Sequence, residues 1–284
     1  MEIIIGKTAG FCFGVKNAAT KAEEELKKSK KAYCLGELVH NNQVTQELVK
    51  NGMIFINSIE EAQGKAIIRA HGVSKEVYNI AKQRGTQLVD LTCPKVIHIH
   101  KIAEEYAKNG YYIFLIGQKE HPEIKGTISF CGKNSYIIEE MEEVEEAIKD
   151  FNKKNKEKAL IIAQTTYSLE KFNEIAEKLK AKLKIEKLEI KNTICNATKQ
   201  RQEEVIEISK KAKTMVIIGS KTSSNSNKLY EISKKYCNNV IFIETKEELD
   251  LEVLDKEGII GIMAGASTPQ KSIDEVVEKI KEIC

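Results

Sequence analysis

Short runs of branched aliphatic residues alternate with longer amphipathic stretches along the chain. Runs such as Glu2–Ile5, Tyr33-Cys34-Leu35, Phe114-Leu115-Ile116 and Val216-Ile217-Ile218 have the length and composition of buried strands. Between them apolar positions recur at helical spacing, and lysine is interleaved with glutamate, as over 21–28 and 171–187. That interleaving marks solvated helix faces. Strands alternating with amphipathic helices predict parallel-sheet α/β units.

The pattern repeats three times. Gly10-Phe11-Cys12-Phe13-Gly14, Leu91-Thr92-Cys93-Pro94 and Thr193-Ile194-Cys195-Asn196 each follow a strand-like run and precede a helical one. Twenty-four residues beyond each cysteine, at the end of an apolar run, stands a glycine: Gly36, Gly117 and Gly219. Four residues further come His40, His121 and Ser223, and two more give Asn42, Glu123 and Asn225. Seventy-two residues beyond Cys93 and Cys195 fall Thr165 and Ser267, and the comparable loop of the first repeat is Arg69–Ser74. Ser74, Ser168 and Thr268 are expected to cap the helices that follow, and Pro269 suits a first helical turn.

Each repeat therefore reads as cysteine, helix, strand, polar loop, helix, strand, connection, strand, polar loop, helix, strand, next cysteine. The third lacks a closing strand, and the opening strand Glu2–Ile5 can supply it. The expected fold is α/β: three similar units with parallel sheets in a pseudo-threefold ring around a central site. The units are 13–93, 94–193, and 194–284 completed by 1–12. Ligand sites of open α/β sheets gather at the carboxyl ends of strands, where all six polar loops lie.

Composition narrows the function. A chain of 284 residues with 42% hydrophobic residues can fill such cores. Lys+Arg 45 against Asp+Glu 42 leaves a net charge of only +3, with no one-sided basic stripe for a nucleic acid. No apolar run reaches membrane-span length, and Met1-Glu-Ile-Ile-Ile-Gly6 is too short and too acidic for a signal peptide. A cytoplasmic protein is expected. Its seven cysteines then point to metal or redox use ahead of disulfides.

Three equivalent cysteines, Cys12, Cys93 and Cys195, can converge on zinc or on an iron–sulfur cluster, or can be plain core residues. Their wide separation, with no paired knuckle spacing, favours a cluster with three cysteine ligands and one open iron. Cys34, Cys131, Cys237 and Cys284 lack threefold partners and receive no role, and His98 and His100 read as helix residues. The loops offer His40, Asn42, His71, His121, Glu123, Thr165, Thr166, Ser223, Ser224, Asn225 and Ser267. Several stand just before helices, whose N-terminal N–H groups favour phosphate. The segment Gly219–Asn227 is dense in hydroxyl and amide groups but lacks the G-K-[ST] ending of a Walker loop. Glu123 is the only acid among its three equivalents, either a proton donor or a first-turn glutamate stabilised by the helix dipole.

Taken in order, Gly10–Val15, Val39–Asn42, Ala70–Ser74, Thr92–Pro94, His121–Thr127, Gln164–Thr166, Ile194-Cys195, Ser220–Asn227 and Gly265–Ser267 resemble the 4-hydroxy-3-methylbut-2-enyl diphosphate reductases, the LytB/IspH family. The resemblance runs from about residue 10 to residue 270 and stops short of the tail some members carry. It implies a [4Fe–4S] cluster on Cys12, Cys93 and Cys195. It also implies reduction of an allylic diphosphate to isopentenyl and dimethylallyl diphosphates, the last step of the methylerythritol phosphate route. It places the diphosphate on His40, His71, Ser223, Asn225 and Ser267, with His121 and Ser224 adjoining. Thr165 contacts the substrate hydroxyl and Glu123 supplies protons. Electrons come from ferredoxin or flavodoxin. An aconitase-type hydro-lyase, an iron–sulfur sensor and a zinc enzyme are the rival readings.

Overall fold

The computed structural model describes residues 2–255 and 257–282. Each cysteine opens the same run of elements. After Cys12 come α1 (Phe13–Ser29), β2 (Ala32–Leu35), α2 (Asn42–Lys50), β3 (Met53–Ile56), β4 (Lys65–Ile68), α3 (Lys75–Arg84) and β5 (Gln87–Asp90). After Cys93 come α4 (Pro94–Lys108), β6 (Tyr112–Ile116), α5 (Pro122–Cys131), β7 (Ser135–Ile138), an inserted α6 (Val144–Lys153), β8 (Lys158–Ala163), α7 (Leu169–Lys182) and β9 (Lys187–Ile190). After Cys195 come α8 (Asn196–Ser209), β10 (Thr214–Ile218), α9 (Ser224–Tyr236), β11 (Asn239–Ile243), β12 (Ile259–Ala264) and α10 (Gln270–Lys281). The opening strand β1 (Glu2–Ile5) pairs in parallel with β12, Glu2 opposite Ile259 through Ile5 opposite Ile262.

Three four-stranded sheets result, with orders β3-β2-β4-β5, β7-β6-β8-β9 and β11-β10-β12-β1, one topology written three times. Every pairing is parallel. The α/β class with three parallel sheets expected from the alternation is the class observed.

Burial follows topology. The central strands β6 and β10 are buried at every position, as strands covered by helices on both faces must be. The edge strands β1, β5 and β9, each leading to a cysteine, share a half-exposed pattern. On β6, Tyr112 and Phe114 pack with Phe151 of α6, ring centroids 4.9–5.9 Å apart. Burying each such side chain contributes about 1.5–3 kcal/mol.

The described residues form two compact units. One comprises Met1–Lys16, Val39–Leu48 and Asn196–Cys284, so far as these are described, and holds the β11-β10-β12-β1 sheet. The other comprises Asn17–Leu38 and Val49–Cys195 and holds the other two sheets. The segments 13–93, 94–193 and 194–284 with 1–12 mark sequence repeats; the sheets of the first two lie in one compact unit, while 13–16 and 39–48 of the first belong to the other.

In each sheet the chain reverses its direction of growth between the two central strands. Such switch points open crevices beyond the strand ends. The loops after β2 and β4, β6 and β8, and β10 and β12 begin there, and these six loops with the first turns of the helices that follow carry the candidate site residues other than the cysteines.

Candidate functional site

In the unit holding the β11-β10-β12-β1 sheet, α9 presents its N-terminus with no acid in the first turn. Ser223 is its N-cap and accepts from the Ser226 N–H. Ser223 and Asn225 are buried. The Asn225 Nδ2 is buried without a hydrogen-bond partner, an open donor at a helix end whose dipole favours an anion. The loop after β12 reaches the same helix end: a Cβ added at Gly265 would lie 2.0 Å from the Ser226 Oγ, so only glycine permits this approach. From that loop the Ser267 hydroxyl donates to the His40 carbonyl at 2.8 Å. His40, Ser223, Ser224, Asn225 and Ser267 are therefore carried by linked loops of one unit. The Cys12 N–H donates to the Ala266 carbonyl at 3.1 Å.

The other unit carries the acid. His121 caps α5, its Nδ1 accepting the Glu123 N–H at 3.1 Å, so a neutral ring carries its proton on Nε2. Glu123 is buried. Its carboxyl accepts the Thr165 N–H at 2.7 Å and the Thr165 hydroxyl at 2.5 Å. Burial pushes the Glu123 carboxyl up to about 7, against the pull of the two Thr165 hydrogen bonds. The Thr165 carbonyl in turn accepts the Cys195 N–H at 3.0 Å. His71 meets His121 edge-on, ring centroids 5.4 Å apart.

His71 is held by a tight turn. Gly72 has φ of +74°, and a Cβ there would lie 2.9 Å from His100 Cε1 and 3.1 Å from Thr92 Cγ2. His100 is stacked on Phe130 at 4.2 Å, and burial lowers its pKa to about 4, so it packs as a neutral ring. Next to this turn the Cys93 N–H donates to the Ala70 carbonyl at 2.9 Å.

The three cysteines share one setting. Each directly precedes a helix, α1, α4 or α8, that has no acid in its first turn. Each donates its N–H to the second residue beyond the neighbouring central strand: Ala266 after β12, Ala70 after β4, Thr165 after β8. All three are half-buried, and no disulfide joins any described cysteine. Thiol donors at helix N-termini, where the dipole favours negative charge, fit an iron–sulfur cluster. Cys34 and Cys131 are buried thiols pushed up to about 12 by desolvation, poor candidates for ligands.

The cysteine amides also correct the register read by counting. Thr165 is the counterpart of Ala266, so Ser267 matches Thr166 and His71, one place away from the expected equivalence. Asn42 is no counterpart of Glu123. Asn41 precedes α2 and accepts the Val44 N–H, while Asn42 is exposed and bonds to Glu244. Thr268 caps nothing: Pro269 is the N-cap of α10, and the Thr268 hydroxyl donates to the Ile218 carbonyl at 3.0 Å. Ser168 caps α7 as expected, whereas Ser74 stands at the N-cap of α3 without a side-chain bond. His100 lies on α4 as the sequence suggests, whereas the capping role of Asn41 is not singled out there; its signal is a side-chain acceptor just before a helix.

A three-sheet α/β enzyme with anion-ready helix ends, a buried protonatable acid and cysteine donors is the class these features define. The chain belongs to the LytB protein family, whose profile matches residues 3–281, and membership implies an iron–sulfur cluster. It is 44% identical over 289 residues to the 4-hydroxy-3-methylbut-2-enyl diphosphate reductase of Caldanaerobacter subterraneus subsp. tengcongensis, covering 100% of this chain and 98% of that one. A solved structure of the E-1-hydroxy-2-methyl-but-2-enyl-4-diphosphate reductase from Plasmodium falciparum matches with TM-score 0.89 at 32% identity, over 98% of this chain and 87% of that one. A solved (E)-4-hydroxy-3-methyl-but-2-enyl diphosphate reductase, described as the terminal enzyme of the non-mevalonate pathway, matches with TM-score 0.71 at 38% identity, over 99% and 100%. Among the described residues, no helix is long and apolar enough to cross a membrane.

Proposed function

We propose that this chain reduces 4-hydroxy-3-methylbut-2-enyl diphosphate to isopentenyl and dimethylallyl diphosphates. Each turnover takes up two electrons and two protons, breaks the allylic C–O bond and releases one water. The observation that carries the reading is the line from Glu123 through Thr165 to Cys195: a buried carboxyl that holds a proton near neutral pH, bonded to a hydroxyl whose own residue carries the cysteine amide.

Cys12, Cys93 and Cys195 would hold a [4Fe–4S] cluster, as half-buried thiols at the starts of three helices. When bound, that cluster would supply the electrons and a Lewis acid for the substrate hydroxyl. The chain's own groups do the rest. The Ser223 and Ser224 N-terminus of α9, the Asn225 Nδ2, Ser267 and His40 bind the diphosphate, together with His71 and the Nε2 face of His121. Binding at that end fixes where the hydroxyl lies. Protonated Glu123 donates to Thr165 Oγ1, which turns its own hydrogen toward the substrate oxygen. The leaving group then departs as water, not as hydroxide. Ferredoxin or flavodoxin delivers the electrons, and the enzyme works in the cytoplasm.

The test is anaerobic turnover with reduced viologen as sole reductant. Viologen oxidation dependent on the allylic diphosphate, yielding both five-carbon products, is expected. Conversion of substrate at an undiminished rate with no reductant would show a hydro-lyase instead.

A further inference from the structure

Arg201 lies on α8, the helix that starts directly after Cys195, and is buried at 4% exposure. A guanidinium is removed from water only where strong partners hold it. Its Nη1 donates to the Ala197 carbonyl at 2.9 Å, so the side chain curls back along its own helix toward the N-terminus. Its Nη2 donates to the Gly10 carbonyl at 2.6 Å in a buried setting. Ala197 stands two residues after Cys195, and Gly10 two residues before Cys12. One planar fork thus bridges two carbonyls, one on the turn before Cys12 and one in the first turn of α8.

We propose that Arg201 is a positioning residue for the cysteine-held cluster, clasping the Cys12 turn to the start of α8 and placing a fixed positive charge at that turn. The inference rests on the iron–sulfur reading of Cys12, Cys93 and Cys195. Two consequences follow from charge and shape. A positive charge in a low-dielectric setting stabilises the more negative, reduced state of the cluster and so raises its reduction potential. The two-pronged bond keeps the Cys12 turn closed, which slows loss of iron. Nearby side chains support the clasp from the same unit: Glu204, one turn further along α8, accepts the Lys7 N–H at 2.6 Å and the Thr8 N–H at 2.9 Å. The whole segment leading to Cys12 is thereby tied to this helix.

Arg201→Gln removes the charge and keeps a donor, whereas Arg201→Lys keeps the charge and loses the fork. Both are to be measured on anaerobically purified full-length protein, by potentiometric titration of the cluster signal and by the rate of iron release to a chelator. Arg201→Gln is expected to lower the midpoint potential. Arg201→Lys is expected to restore it while iron is still released about tenfold faster than from the parent protein, the scale set by one lost charge-assisted bond. A wild-type midpoint in Arg201→Gln overturns the electrostatic role. If that variant does not fold, wild-type iron release from Arg201→Lys overturns the clasp. A parent protein that takes up no cluster at all defeats the reductase reading itself, which separates the two failures.

Discussion

Replacing Glu123 by glutamine removes a titration and keeps the shape. In the folded chain this carboxyl is pushed from its ordinary 4.5 up to about 7 by burial. Its folded value lies above its unfolded value, so it destabilises the fold as pH rises. Below pH 4.5 both states hold the proton and no penalty exists. Between 4.5 and about 7 the unfolded chain releases its proton while the folded one keeps it. Stability falls across that window by about 3 kcal/mol, at about 1.4 kcal/mol per pH unit. Glu123→Gln can still accept the Thr165 N–H and face the Thr165 hydroxyl, but it cannot ionise. Urea unfolding of the cluster-free chain at several pH values should therefore show the variant gaining on the parent as pH rises. Turnover should move the other way: the parent loses activity above about pH 7 as Glu123 ionises, and the variant is slow and indifferent to pH. Equal pH slopes of stability in the two proteins, or near-normal turnover in the variant, would refute the argument.

Serine in place of Cys12, Cys93 or Cys195 should each time bleach the brown chromophore and lower iron and sulfide per chain, while the same change at Cys34 should leave both intact; visible spectra and metal analysis decide it. Thr165→Val deletes the hydroxyl that holds the Glu123 carboxyl down, so the fall of activity with pH should shift to higher pH and the maximal rate should drop, as a pH–rate profile would show. Gly72→Ala places a methyl 2.9 Å from a stacked, buried His100 and keeps a positive φ, at a combined cost of about 2–4 kcal/mol readable as a lowered melting temperature.

The strand and helix order is legible in the sequence because the apolar runs are short and the first run after each cysteine is closed by a glycine at a constant distance from it. β1 is assignable to the third sheet for a related reason: the last repeat lacks a strand and the run Glu2–Ile5 offers one. Loop register was harder to read. Thr165 and Ser267 lie equally far from their cysteines, yet the cysteine amides pair with Thr165 and Ala266, since hydrogen bonds across the strand ends set equivalence and residue counts do not. Asn42 falls one position away from the register of Glu123 and Asn225 because the turn before α2 holds one residue more than those before α5 and α9. Arg201 was invisible for another reason. A charged residue on an amphipathic helix reads as surface, and only the fold shows that its head is buried against Gly10.

Three separated thiolates would hold one cluster and leave one iron open to substrate. Mössbauer spectra of iron-57-labelled protein, taken anaerobically with and without the allylic diphosphate, test it most directly. One iron distinct from the others, and altered alone when the diphosphate is added, is the expected result. A cluster whose irons all remain unchanged by substrate would contradict the account.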